Sequence, residues 1–249
     1  MRTHERVLAQ IETDLAAGRW ALGEALPGER VLAEELGVSR PSVREAIRIL
    51  EAAGVVRTAA GSGPTAGAVV IDRPAAGLRM AMGLHVSSGA LRVPDVVETR
   101  VLLETWAIRA AADRHRSGEI DGESLAGAQR LVDAMEEPGM SPADFIASDQ
   151  AFHLEFARIA GNHVVEAFML GLRGAIGDYV TDGVDRLPDW PTTSARLAAE
   201  HAGILDAVAV GDGATAARLA REHIEEFYIE TGLAGGTSPM APAGAPSRG

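Results

Sequence analysis

The apolar spacing between Pro27 and Ile71 changes character twice, and this change restricts the N-terminal part of the chain to few folds. Val31, Leu32, Ala33 and Leu36 recur at helical spacing and stop at Gly37, a residue suited to the left-handed conformation that closes helices. After the short Gly37-Val38-Ser39 turn, Ser39 can cap a further helix running to Ala53, which Gly54 closes. The pattern then becomes strand-like. Val55-Val56-Arg57-Thr58 and Ala68-Val69-Val70-Ile71 are β-prone runs on either side of a Gly-rich stretch. An earlier helix is expected over Thr3 to Ala17, from Val7, Leu8, Ile11 and Leu15, with Gly18 as its stop. Helices joined by a tight turn and followed by a hairpin predict a winged helix-turn-helix of three helices and a β-hairpin wing over residues 1–73.

Beyond Pro74-Ala75-Ala76-Gly77, read as a linker, only helical periodicity is visible as far as Leu233. Breaks at Glu137-Pro138-Gly139 and Asp189-Trp190-Pro191 divide it, so residues 74–233 are expected to form an all-α bundle of about six or seven helices. The fold class is mainly α. Residues 234–249, dominated by Gly, Pro, Ala and Ser, lack the apolar content to offset their ordering entropy and are expected to be a disordered tail. The start of the chain has no apolar signal-peptide core and no run approaches membrane-spanning length. With cysteine absent as well, the expected location is the cytoplasm.

The net charge of −12 would repel a polyanion if it were spread evenly. It is not: residues 1–73 hold nine Arg against ten Asp or Glu, so −11 of the total belongs to the rest. In the third helix Val43, Ala46, Ile47 and Leu50 share one side, while Arg40, Arg44 and Arg48 recur every four residues on another. Such a helix can enter a major groove, where guanidinium groups bond guanine edges or clamp phosphates, with Ser42 adding a phosphate contact. The plainer reading is a solvated helix whose arginines pair with Glu45 and Glu51.

The run Leu26-Pro27-Gly28-Glu29-Arg30, then Leu32-Ala33-Glu34-Glu35-Leu36-Gly37-Val38-Ser39-Arg40, then Val43-Arg44-Glu45-Ala46-Ile47-Arg48, resembles the GntR family of bacterial regulators. The resemblance departs at Gly28 and Pro41, where members often carry small hydroxyl residues. It implies a dimeric transcription factor on a near-palindromic, double-stranded operator, acting as a repressor. It also implies DNA contacts from Arg30, Arg40 and Arg44, a secondary one from Ser42, a further one from Arg48, and a close approach of Gly61 at the wing tip.

In the second part, Ser141-Pro142-Ala143-Asp144 reads as a capped helix start, and the helix buries Phe145, Phe152, Phe156 and Ile159. Asp149 and His153 fall one turn apart on this apolar side, where an unpaired carboxylate is costly. His201, in line with Leu197, Leu205 and Val208, and His223, in line with Ala216, Leu219 and Phe227, show the same anomaly. Any one of these histidines alone reads as a core imidazole bonded to a carbonyl or water. The four residues together read as a site for a divalent cation, since first-row metals accept imidazole nitrogen and carboxylate oxygen.

Asp149-Gln150-Ala151-Phe152-His153, Ala160-Gly161-Asn162, Glu200-His201 and Glu222-His223 resemble the FCD ligand-binding domain of the FadR subfamily. The resemblance implies that Asp149, His153, His201 and His223 are ligands of a divalent metal ion, zinc first, with nickel, manganese or iron as alternatives. It also places Arg100, in Arg100-Val101-Leu102-Leu103-Glu104, at an effector pocket, where it would grip a small carboxylate held at its other end by the metal. Against this stands an Arg100–Glu104 pair on a solvated face. Asn162 is a further pocket candidate, unless it only caps the next helix. Two rival readings are a metal-dependent hydrolase with an accessory DNA module and a purely structural ion. The hydrolase lacks an evident general base, since Glu200 and Glu222 point away from their neighbouring histidines. The expected protein is therefore not an enzyme.

Overall fold

A computed structural model describes residues 2–59 and 67–233. The chain divides into two compact units after Met82.

The first unit contains α1 (Thr3–Ala16), α2 (Glu29–Leu36), α3 (Arg40–Ala52), the strands β1 (Val56–Ala59) and β2 (Gly67–Val70), and the start of α4 (Pro74–Ser87). Gly37 closes α2 in the left-handed conformation, at φ 62°, and Ser39 caps α3 by accepting from the Ser42 amide. One face of each helix meets the hairpin in a core of Val7, Ile11, Leu32, Val43, Ala46, Ile47, Val56 and Val70. The strands pair antiparallel with Val56 opposite Val70. The segment before α2 lies along the other edge of β2: the Leu26 amide donates to the Ala68 carbonyl at 2.8 Å, and that of Val70 to Glu24 at 2.8 Å. Apolar spacing had given no sign of this third partner, because a single bridge at Ala25 and Val69 leaves no alternating pattern. Gly61 and residues 234–249 lie outside the described residues.

The linker expected at Pro74 is instead the first turn of α4, and the division falls after Met82 and not after Arg73. Proline at the first helical position needs no amide partner. The small residues that follow serve close packing: a Cβ on Gly77 would stand 2.5 Å from the Ala53 carbonyl oxygen.

The second unit is all-helical among the described residues. After the end of α4 come α5 (Val93–Ser117), α6 (Ala126–Met135), α7 (Pro142–Ala160), α8 (His163–Ala175), α9 (Gly177–Val184), α10 (Trp190–Ala209) and α11 (Gly213–Glu230). The long α5 packs against α7, α8, α10 and α11. Ile108, Ala111, Phe145, Phe152, Phe156, Leu197, Ile204, Val208, Ala216 and Ala220 fill the interior. Ile159 is only half-buried. Ser141 caps α7 as expected, accepting from the Asp144 amide at 3.1 Å. No helix among the described residues is long and apolar enough to cross a membrane.

Candidate functional site

Three helices bring the four expected ligands together. Asp149 and His153 project from α7, His201 from α10 and His223 from α11, and the nearest donor atoms all lie within 4.8 Å of one another. The three imidazole Nε2 atoms converge on a single carboxylate oxygen. Asp149 Oδ1 stands 3.1 Å from His201, 3.5 Å from His153 and 3.6 Å from His223. Metal–ligand bonds of about 2.0–2.2 Å put neighbouring ligand atoms of one ion about 3–3.6 Å apart, so this spacing and donor set fit a first-row divalent cation.

The far ring nitrogens are also addressed. His223 Nδ1 donates to Glu200 Oε2 at 2.7 Å, and His153 Nδ1 lies 2.9 Å from Glu104 Oε2. A carboxylate at Nδ1 fixes the proton there and leaves the Nε2 lone pair for an ion. Glu200 is thus spent on orienting His223, while Glu222 pairs with Arg218 at 2.7 Å. His201 Nδ1 is buried without a partner, and His153 Nδ1, although close to Glu104, makes no aligned hydrogen bond. Burial and the neighbouring His223 push the His201 imidazole down to about 4, which outweighs the opposing pull of Asp149 and keeps the ring neutral. For His223, burial is outweighed by Asp149 and Glu200, which raise it above the usual imidazole range.

Behind the ligands lies a buried ion network that the sequence did not disclose. Glu104, fully buried, places Oε1 2.8 Å from Arg100 Nε and Oε2 2.9 Å from Arg173 Nη2. Arg173 Nη1 donates to Asp149 Oδ2 at 3.1 Å, and Arg100 also donates to the Tyr228 hydroxyl. Burial alone would push the Glu104 carboxyl up, yet Arg100, Arg173 and His153 hold it well below the ordinary carboxylate range. The Arg100–Glu104 pair therefore exists, but inside the unit and not on a solvated face. Arg173 stands on α8 between Met169 and Ile176, on an otherwise apolar side. That is the same anomaly that singled out the histidines.

A cavity with about 30 Å³ of free interior adjoins the cluster. Arg100, Asp149, His153, Arg173 and Tyr228 line its polar end, and Phe145, Ile176, Trp190, Leu197 and Phe227 line the remainder. Asn162 is not brought to this site. Exposed at the start of α8, it spends its side-chain oxygen on the Val164 and Val165 amides at 3.1 and 3.2 Å. His163, on the surface, lies 3.6 Å from Glu166.

In the first unit Arg30, Arg40, Arg44 and Arg48 are all exposed, and Ser42 is half-buried. Arg44 pairs with Glu29 of α2 at 2.7 Å and not with Glu45, while Glu51 accepts from the Thr58 amide at 2.8 Å. Arg30 pairs with Glu34 at 2.7 Å. Arg48 lies 3.8 Å from Glu45, and Arg40 has no ion pair among the described residues. The Ser42 hydroxyl sits 2.9 Å from that of Ser39.

A winged helix-turn-helix with an exposed row of arginines, joined to a helical unit with an internal donor cluster, defines a DNA-binding transcriptional regulator with a ligand-binding domain. Residues 3–65 match the bacterial regulatory proteins of the gntR family and residues 95–226 match the FCD domain, so the chain belongs to the GntR family of regulators. It is 32% identical to the HTH-type transcriptional regulator Mce2R of Mycobacterium tuberculosis, over 89% of this chain and 88% of that protein. It is 27% identical to the Glc operon transcriptional activator of Escherichia coli K12, over 88% and 85% respectively. Streptococcus agalactiae GntR shares the fold, with a TM-score of 0.65, 21% identity, and coverage of 92% of this chain and 99% of that one. Membership sets the chain among regulators and lends no support to the hydrolase reading.

Proposed function

We propose that this regulator binds a small carboxylate beside a divalent cation, most simply zinc, held by Asp149, His153, His201 and His223, and that occupancy changes its affinity for operator DNA. The convergence of three imidazole nitrogens on one carboxylate oxygen carries the reading. When bound, the ion supplies a Lewis-acidic centre with open positions for a carboxylate oxygen. Arg100 and Arg173 line the same cavity, and a guanidinium beside an ion favours an anion. Room for one or two waters is too little for an organic acid, so entry moves the walls. A displaced wall is what gives the effector unequal affinity for two conformations, without which it shifts nothing.

The DNA-facing assignments follow from the same reading: Arg30, Arg40, Arg44, Arg48 and Ser42 on α2 and α3, with Gly61 in the wing. The winged unit runs to Met82 and the FCD unit, of the FadR subfamily, follows it in a cytoplasmic protein. A homodimer matches a near-palindromic operator. Leu102 and Trp106 on α5, and Val164 and Phe168 on α8, are exposed apolar pairs one turn apart on helices that pack together, a surface suited to a second copy. Repression is the proposed sign, since occupancy of an operator excludes polymerase without any further contact.

A thermal-shift screen of small carboxylates, run with and without chelator, tests the site. Ligand binding to the folded state raises apparent stability. A hit abolished by chelator and restored by zinc is expected, and hits indifferent to chelator would overturn the metal-linked pocket.

A further inference from the structure

One of the three arginines spaced along α3 is held differently from the others. Arg44 Nε donates to Glu29 Oε1 at 3.0 Å, and Arg44 Nη2 donates to Glu29 Oε2 at 2.7 Å. Glu29 therefore closes on the side edge of the guanidinium. Of the five N–H donors this grip uses the one on Nε and one on Nη2. Of the three hydrogens that remain, one on Nη1 and the second on Nη2 form the end edge of the fork. That edge has the spacing that pairs with the O6 and N7 acceptors of guanine. Neither neighbour is treated this way: Arg48 approaches Glu45 only to 3.8 Å, and Arg40 has no ion pair among the described residues. Glu29 also belongs to the charge field of all three, because the Arg44 hydrogen bonds first, and then the charges of Arg44, Arg40 and Arg48, hold its carboxyl below the usual range.

We infer that Glu29 is a positioning residue for sequence readout, holding Arg44 side-on so that its end edge faces a base. The inference rests on the proposed placement of Arg44 in the DNA interface. Two effects follow. A guanidinium already fixed by a carboxylate loses less freedom when it meets guanine, which favours the matching sequence. A carboxylate standing among exposed arginines weakens attachment to all DNA alike, which lowers affinity and leaves the ratio between sequences unchanged. Discrimination comes from the first. A merely structural pair tying α2 to α3 would change stability and leave discrimination alone.

The test uses the full chain, a duplex that the wild-type protein selects from a randomised library, and a scrambled duplex of equal length, with binding followed by fluorescence anisotropy over a salt series. Glu29→Gln is expected to weaken binding to the selected duplex and strengthen binding to the scrambled one, lowering their ratio about tenfold, the scale of one bidentate base contact. In an Arg44→Ala background the same change should leave the ratio nearly where Arg44→Ala put it. A ratio within about twofold of wild type in Glu29→Gln, or an equal loss with Arg44 already gone, overturns the inference. If Arg44→Ala alone leaves the ratio intact, the DNA assignment of Arg44 itself has failed, which is a distinguishable outcome. Glu29→Asp covers the case in which the amide variant misfolds. It keeps the charge and withdraws the carboxylate by one methylene, so the ratio should fall while scrambled binding stays at the wild-type level, and an unchanged ratio again refutes the proposal.

Discussion

Glu104→Gln tests the buried ion network directly. The carboxylate is fully buried and lies within 2.9 Å of Arg100, Arg173 and His153 together. The amide fills the same volume, so no cavity forms and the change is one of charge and hydrogen-bond direction. Two buried guanidiniums would then face Asp149 as their remaining anion, and the new NH₂ group would point toward a guanidinium or an imidazole nitrogen. Breaking a buried ion pair by removing one partner costs about 3–5 kcal/mol, because the surviving charge stays desolvated. An exposed pair such as Arg158 with Glu155, at 3.2 Å, contributes about 0–1 kcal/mol. Against a total stability of about 5–15 kcal/mol, the first is a large loss and the second a small one. Urea unfolding of chelator-treated protein measures the difference. Of the three tryptophans, Trp106 and Trp190 belong to the second unit, so a Trp20→Phe background confines the fluorescence to it. A midpoint shift worth less than about 1 kcal/mol, with an unchanged slope, would show that Glu104 is not the charge that balances the two arginines.

His153→Ala removes one ligand and should lower the metal content of the purified protein; full occupancy by elemental analysis would contradict the site. Zinc uptake should release protons and weaken as pH falls through the titration of His223, which Asp149 and Glu200, against its burial, raise above the usual imidazole range. Calorimetry in two buffers of different ionisation enthalpy checks this, and identical heats would refute it. Gly54→Ala should cost at least about 2 kcal/mol, since a left-handed alanine is strained by about 1–2 kcal/mol and its Cβ would stand 2.3 Å from the Arg73 carbonyl oxygen. A loss below about 0.5 kcal/mol in thermal unfolding would show that α3 and the chain at Arg73 part easily.

The winged unit was legible because each of its turns carries local chemistry: Gly37 in the left-handed region, Ser39 capping, and a strand pattern after Gly54. The start of α4 was not, because Pro74 and the small residues after it read as punctuation, whereas Gly77 is small so that a helix can approach Ala53. Among the ligands, three histidines and an aspartate stood out as polar groups on apolar helical faces. Glu104 was legible only as the partner of Arg100 on a solvated face, and Arg173 was not legible at all, for opposite reasons. An acid four residues after Arg100 looks like an ordinary surface pair, and an arginine in the last turn of α8 looks like a complement to the helix dipole. Their partnership spans 69 residues of sequence, and only packing α8 against α5 creates it. Asn162 misled in the other direction, since its side chain serves the local backbone instead of the site.

The balance of charge within the network supports the proposed pairing of a cation with an anion at this site. Arg100 and Arg173 offset Glu104 and Asp149, so these four buried side chains sum to zero once the ion has displaced any proton from the imidazoles. A divalent cation placed among the ligands leaves an excess of two positive charges in a region poor in water, and burying uncompensated charge is expensive. An entering carboxylate relieves that excess, and by linkage it must strengthen cation binding by the same factor that the cation strengthens its own. The cavity walls that have to yield come from separate helices, Phe145 on α7, Ile176 after α8, Trp190 and Leu197 on α10, and Phe227 on α11. Close-packed interiors respond to such displacement by shifting whole elements, since few voids exist to absorb it locally. The electrostatic demand of a single ion thus becomes a mechanical demand on several helices, which is the form a signal must take if it is to leave a buried site.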